Sequence, residues 1–311
     1  MIRIDGLRAG IGDDFSLEDI AARQLRIGRS EISSVRILRR ALDCRKKGDI
    51  HYAFSLGVEL KRDEQKVAKL SRNQGVRVCD KPLSGIDEYL SKNNLLGKLG
   101  RVAVVGSGPA GLMCALTLAK AGMQPTVIER GKQVEERIKD VNTFFQGGAL
   151  NTESNVQYGE GGAGTFSDGK LNSGVGGEIA AIVLSEFARH GGGEQLVYEG
   201  KPHIGTDVLP NVVSQIRNEI IRLGGKFMFS TKVDGIICKG GALIGLSLTG
   251  ENAGCFDCDT AVFAIGHSAR DTYEMLARNN VLMAPKPFSI GVRIEHRQQD
   301  INIAQYGCVR N

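Results

Sequence analysis

The chain has 311 residues, 41 of them glycine, which is about 13% where an ordinary globular protein has ~7%. With 41% apolar residues and no Gly-X-Y period, collagen-like and disordered classes are excluded, and no apolar run approaches the ~18 residues of a membrane span. The net charge of +5 is uneven: residues 1–98 hold 20 Lys+Arg against 14 Asp+Glu, the remainder 20 against 21. Glycine shifts the other way, with 31 of the 41 in residues 101–311, so two different pieces of protein meet near residue 98. The seven cysteines are an odd number in a chain too long to need disulfide staples, and the start MIRIDGLRAGIGDDF has no secretory pattern, so a cytoplasmic location is expected.

In chain order, residues 1–5 read as a strand and Ser16–Leu25 as a helix capped by Ser16, with Asp19 three residues on. Residues 33–39 and 51–60 read as strands, and 61–71 as a charged helix. This predicts a small basic α+β module over 1–98, closed by a linker from Asp80 to Gly100 that is rich in Pro, Gly and Asn. Its most charged stretch, Arg36–Lys47, has six basic residues in twelve. That is either a contact for a polyanion or a solvated face. The absence of interleaved aromatic residues favours the solvated face over a nucleic-acid partner.

From Arg101 the pattern becomes specific. A buried-strand run, Arg101–Val105, enters Gly106-Ser107-Gly108-Pro109-Ala110-Gly111, followed by a helix closing on Gly122. A second strand, Pro125–Glu129, then ends on an acid 23 residues after the first glycine. Gly106 permits the turn, Gly108 lets backbone approach a pyrophosphate, and Gly111 lets the helix pack on the strand. The helix N-terminus offers N–H groups to phosphate, and Glu129 offers acceptors to the adenosine ribose. The spacing specifies a dinucleotide without separating FAD from NAD. Lys226–Val233, Gly235–Lys239 and Ala242–Thr249 then read as a β-meander, and Asp259–Gly266 as a further buried strand, which favours FAD.

These segments resemble the glutathione-reductase-like FAD proteins, with Ala264-Ile265-Gly266 standing where that group has Ala-Thr-Gly. The match extends to the uncharacterised bacterial FAD-dependent dehydrogenases through Glu129-Arg130-Gly131, Leu150–Leu171, Lys201–Asp207, Phe288–His296 and Arg45-Lys46-Lys47. The resemblance implies an α/β, Rossmann-like FAD-binding domain with a β-meander over 99–311, behind the small module. It implies that Val233 meets the adenine through its backbone, that Gly266 lies near the cofactor, and that Arg130 follows the ribose acid.

Residues 147–177 hold ten glycines in 31 positions. Within them Gly159–Gly164 repeats the G-x-G-x-x-G spacing, but no buried strand precedes it and no helix pattern follows. It reads as a bent loop, including Gly161, Gly162, Gly164 and Thr165, whose backbone comes close to the flavin side of the cofactor. No separate NAD(P)H domain is evident. Reducing equivalents are therefore expected from a small-molecule substrate, from transiently docking NAD(P)H, or from a protein donor. The alternatives left open are an RNA-associated flavoprotein that holds a polyanion on the basic module and a non-catalytic flavin-binding or redox-sensing protein. Lys170 is the candidate for stabilising charge on the flavin, with His203 and Arg293 as candidates for substrate orientation or proton transfer. Ser268, with Asp271 three residues on, reads as a helix cap. Cys255-Phe-Asp-Cys258 leads into a strand rather than a helix, so it reads as structural, and no metal site is expected.

After Gly266 the chain offers a helix over 269–279 and a strand over Ile290–Glu295. No returning FAD segment follows, which makes an N-terminal fragment lacking much of its substrate domain the expectation.

Overall fold

The computed structural model describes residues 1–71, 75–95, 100–167, 169–171, 174–287, 290–292 and 294–307. They form two compact units. The smaller comprises Met1–Pro82, Val197–Pro202 and the described part of Lys286–Asn311, and the larger comprises Leu83–Leu196 and His203–Pro285.

The smaller unit runs β1 (Ile2–Gly10), α1 (Leu17–Leu25), β2 (Ile32–Asp43), β3 (His51–Leu60), α2 (Glu64–Leu70) and β4 (Val76–Val78). All its strand pairs are antiparallel, in the order β2-β3-β1-β4, which is the split βαβ arrangement of ferredoxin-like folds. Ile2, Ile4, Leu56 and Val58 pack against Ala21 and Leu25 of α1 and Val67 of α2. Ser16 caps α1, its hydroxyl accepting from the Asp19 N–H at 3.3 Å. β1 and β2 are longer than the sequence pattern suggests, because bulges between Ile4 and Leu7 and between Ile37 and Arg39 break the alternation that marks a strand. Three of the six basic residues of Arg36–Lys47 are paired with acids within this unit. Arg36 pairs with Glu59 at 3.1 Å and Arg45 with Asp43 at 2.9 Å. Arg40 donates to Glu199 from Nε at 3.0 Å while lying over the rings of Tyr52 and Tyr198.

In the larger unit, the segment read as a linker contains α3 (Ile86–Asn93), whose Ile86 and Leu90 enter the core. Gly85 before it and Asn94 after it made an eight-residue helix look like a loop. There follow β5 (Val102–Val105), α4 (Pro109–Lys120), β6 (Thr126–Ile128), α5 (Val134–Phe145), α6 (Glu178–Phe187), α7 (Leu209–Arg222) and β7 (Lys226–Met228). Next come β8 (Thr231–Lys239), β9 (Ala242–Gly250), β10 (Gly254–Asp257), β11 (Thr260–Phe263) and α8 (Arg270–Arg278). Strands β7-β6-β5-β11 form one parallel sheet, the 3-2-1-4 order of a dinucleotide-binding half.

Both faces of that sheet are covered, which is why β5 reads as an unbroken apolar run. Val104 and Val127 meet Leu112, Leu116, Ile216 and Ile220 of α4 and α7 on one side. Ala103, Val105 and Ile128 meet Val233, Leu246 and Leu248 of the meander on the other. The α/β class and the meander follow the sequence, with one difference. The stretch 226–233 is not one strand. At Ser230 the backbone turns left-handed (φ 49°), so Lys226–Met228 joins the parallel sheet while Thr231 opens the meander.

The strand expected over Ile290–Glu295 is absent from the described residues there. Ile290 and Val292 are 90% and 93% exposed, and neither is paired into a strand. A final helix spans Gln298–Tyr306.

Candidate functional site

A cavity of about 410 Å³ opens where the C-terminal ends of β5, β6 and β11 meet the meander, the place where open α/β sheets bind ligands. Its polar floor is the turn between β5 and α4. Gly106 adopts φ 99°, and a Cβ there would sit 2.5 Å from the Ala264 carbonyl oxygen of the strand alongside. A Cβ at Gly111 would collide with the Gly106 carbonyl oxygen, so α4 can start this close to β5 only with glycine at that position. Pro109 occupies the first helical turn, where no N–H is needed. Gly106, Gly108, Pro109 and Ala110 line the cavity, while Ser107 and Gly111 lie behind it.

Glu129, at the end of β6, is buried beneath this turn and also lines the cavity. Its Oε2 accepts from the Ser107 N–H and Oγ, each at 2.8 Å. Its Oε1 accepts from the Gly131 N–H at 2.9 Å and the Gly159 N–H at 3.1 Å. Those four donors fill the capacity of one carboxylate.

Arg130 lines the same cavity and closes one side of it. It donates bidentately to Asp271 on α8 at 2.7 and 3.0 Å and from Nε to Glu153 at 2.7 Å, and its guanidinium lies 4.4 Å from the Tyr158 ring centre. Burial alone would lower the Arg130 pKa, but its two carboxylate partners outweigh that and raise it. The hydrogen bonds from Arg130 hold the Asp271 carboxyl down to about 2. Val233 and Gly266 both line the cavity, with Val233 buried in the apolar wall and Gly266 beside Tyr273, whose hydroxyl donates to the Gly266 carbonyl at 2.9 Å.

The second glycine loop lies directly against the first. The Gly161 N–H donates to the Ser107 carbonyl at 2.9 Å. A Cβ on Gly108 would come 3.8 Å from the Gly162 Cα. The loop therefore sits at the dinucleotide turn itself, and Gly159, Gly162 and Ala163 line the cavity there. Gly164 and Thr165 follow in a short 3-10 turn, Ala163–Phe166, outside the lining. The Thr165 hydroxyl is buried and, among the described residues, meets no hydrogen-bond partner.

The residues expected to carry chemistry are placed differently. Lys170 and His203 stand opposite each other in an isolated antiparallel bridge, reinforced by the Ile204 N–H donating to the Gly169 carbonyl at 2.9 Å. The structure brings them together on an exposed surface, not into the cavity lining. Arg293 lies outside the described residues. Ser268 is not a helix cap: Ala269 holds that position without a side-chain bond. The Ser268 Oγ instead meets His267 Nδ1 at 3.2 Å, and its carbonyl accepts from the Tyr158 hydroxyl at 2.7 Å. Cys258 is fully buried, with its thiol pKa pushed up by burial, while Cys255 is exposed.

The support under the second loop lies outside the motifs legible in the sequence. Arg137 on α5 is fully buried, and so is Glu160. Glu160 Oε2 accepts from Arg217 at 2.6 Å and from the Val134 N–H at 2.8 Å, and Arg217 also holds Glu135 at 2.6 Å. Burial pushes the Glu160 carboxyl up to about 7, against the pull of Arg217. A signal was present. Val134, Arg137 and Val141 fall on one helical face, so the arginine sits on the apolar stripe of α5.

Residues 101–162 match the model of the FAD binding domain family. That match covers the turn, Glu129 and the second loop through Gly162, and it names FAD as the cofactor. Residues 1–59 match a separate model, a domain of unknown function (DUF8436). The whole chain is 42% identical to an uncharacterized protein of Clostridium beijerinckii, and it spans 57% of that relative's length. Among solved structures, it is similar to Thermovibrio ammonificans THI4, with 17% identity, a TM-score of 0.39, and 64% of this chain and 69% of that one covered. It is also similar to glycine oxidase from Bacillus cereus, with 13% identity, a TM-score of 0.38, and 59% of each chain covered. No helix among the described residues is long and apolar enough to cross a membrane.

Proposed function

We propose that the chain carries the cofactor-binding part of an FAD-dependent oxidoreductase, a dehydrogenase in which a small molecule gives a hydride to the flavin. The observation that supports this most is the closure of two glycine loops onto each other across one cavity, with a buried acid beneath both.

The residues present fit FAD. The N-terminus of α4 faces the cavity through Gly108, Pro109 and Ala110; Gly108 and Ala110 carry N–H groups for a pyrophosphate, and the turn presents the positive end of the helix dipole to it. Val105, Ile128, Val233, Phe263 and Leu276 supply apolar walls for an aromatic ring. A ribose hydroxyl can reach Glu129 by replacing Ser107 Oγ, the one donor of the four that is free to rotate away. Bound FAD would supply the hydride acceptor, while the chain orients it and excludes water. Lys170 and His203 are proposed to orient substrate or move a proton as one pair, and Arg293 is retained as a substrate-orienting candidate. The reductant is a small-molecule substrate, transiently docking NAD(P)H or a protein donor.

The test is anaerobic titration of the full-length, flavin-loaded protein with a panel of metabolites and with NAD(P)H. Bleaching of the flavin absorbance by one donor, at a rate lowered by Lys170→Met or His203→Gln, is the expected result. Stoichiometric flavin that no donor bleaches would leave a flavin-binding protein without turnover.

A further inference from the structure

Arg137 heads the largest fully buried side chains of the described residues; two of its three guanidinium nitrogens are used in hydrogen bonds, while the buried Nη2 meets no partner among the described residues. Its Nε donates to the Asn155 carbonyl at 2.9 Å. Its Nη1 donates to the carbonyls of Gly159 at 3.2 Å, Glu160 at 2.7 Å and Gly162 at 2.9 Å. The Phe166 ring lies 4.8 Å from the guanidinium carbon. Burial brings its pKa down to about 10, which leaves it charged at neutral pH. One cation thus gathers three carbonyls of the second glycine loop and that of Asn155 ahead of it.

A planar trans peptide sends the N–H of the next residue away from the carbonyl. With the Glu160 carbonyl on Arg137, the Gly161 N–H points the other way and finds the Ser107 carbonyl at 2.9 Å. With the Gly162 carbonyl on Arg137, the Ala163 N–H is likewise sent outward. Among the described residues it meets no acceptor, and Ala163 lines the cavity together with Gly108 and Pro109.

We propose that Arg137 is a positioning residue that aims the Gly162–Ala163 peptide into the cavity, where the Ala163 N–H donates to an oxygen of bound FAD. This rests on the FAD reading above. Lysine cannot substitute, because one ammonium cannot reproduce a planar fork that reaches Asn155 from one nitrogen and three carbonyls from another.

The experiment uses the 311-residue chain as wild type, Arg137→Lys, Arg137→Ala and, as a control for lost stability alone, Leu90→Ala in α3. FAD affinity is read from flavin fluorescence, and exchange of the Ala163 amide is followed with and without FAD. Expected are FAD-dependent protection of Ala163 in the wild type, loss of that protection in folded Arg137→Lys, and affinity at least about tenfold weaker in both Arg137 variants. Leu90→Ala should keep both properties. Arg137→Lys binding FAD within twofold of the wild type, with Ala163 still protected, overturns the proposal. So does a wild-type Ala163 amide whose exchange FAD leaves unchanged, an arm that decides the matter even where the variants do not fold. A wild-type chain that takes up no FAD overturns the FAD reading and this proposal together.

Discussion

Ser107 and Glu129, 22 residues apart, are joined twice: the serine N–H and hydroxyl both donate to the same carboxylate oxygen at 2.8 Å. The other oxygen of Glu129 takes the Gly131 and Gly159 N–H groups. One acid therefore ties the dinucleotide turn, the end of β6 and the second glycine loop into a single rim. A ribose acid read from sequence alone has one task, whereas here the same side chain also holds the pocket's shape.

Glu129→Gln is therefore expected to cost stability before any cofactor is added. The amide retains one oxygen and turns an N–H₂ group toward N–H donors, leaving at least one buried donor without an acceptor. The expected loss is roughly 2–3 kcal/mol, read as a lower urea midpoint in the cofactor-free chain. An unchanged midpoint would show that the four bonds carry no net stability.

Gly111→Ala should destabilise the protein although alanine is the better helix former. The added methyl meets the Gly106 carbonyl oxygen, which is backbone and cannot swing aside. Gly164→Ala is the contrast, because a Cβ there has nothing within 4 Å and no left-handed backbone to strain. Thermal melts should show Gly111→Ala lowered by several degrees and Gly164→Ala unchanged. Equal melting temperatures would mean that α4 moves off β5 at little cost.

The parts of this site legible in sequence were those set by backbone geometry. Gly106, Gly108 and Gly111 are fixed by turn and helix-packing constraints that depend on neighbours in the chain, so a strand-turn-helix pattern finds them. Arg137, Glu160 and Arg217 are different. They come from α5, a loop and α7, and only folding places them together. The break at Ser230 carries no signal in composition, because Lys226–Val233 reads throughout as one strand. α3 was concealed by the glycine and asparagine that flank it. The Ile290–Glu295 pattern shows the converse, since its described residues alternate in sequence without pairing into a sheet.

Glu160 gives the stability a pH dependence with a defined sign. Its folded pKa, raised by burial from 4.5 to about 7, means the folded chain holds this proton more tightly than the unfolded chain. The contribution is fully present below pH 4.5 and is lost as pH rises through about 7, on the order of 3 kcal/mol across that window. The stability difference between wild type and Glu160→Gln, from urea unfolding at steps between pH 4.5 and 7.5, should therefore shift by that amount against the wild type. A difference constant with pH would mean that Arg217 keeps Glu160 ionised throughout.

Asp271 should behave with the opposite sign. Its hydrogen bonds to Arg130 hold it at about 2, below the ordinary 3.8, so its contribution is present above pH 3.8 and disappears as pH falls through about 2. Asp271 is 46% exposed, and solvent screens the pair, which limits the coupling at neutral pH to about 1 kcal/mol. A double-mutant cycle with Arg130→Ala and Asp271→Ala, read by urea unfolding at pH 7, should return a coupling of that size. The pair also fastens α8 to the end of β6 across the cavity rim. Either single variant should then loosen the wall that carries Thr272, Tyr273 and Leu276. Faster amide exchange confined to α8 in Asp271→Ala would accompany the coupling energy, and a cycle that closes to zero would show that packing alone holds the helix in place.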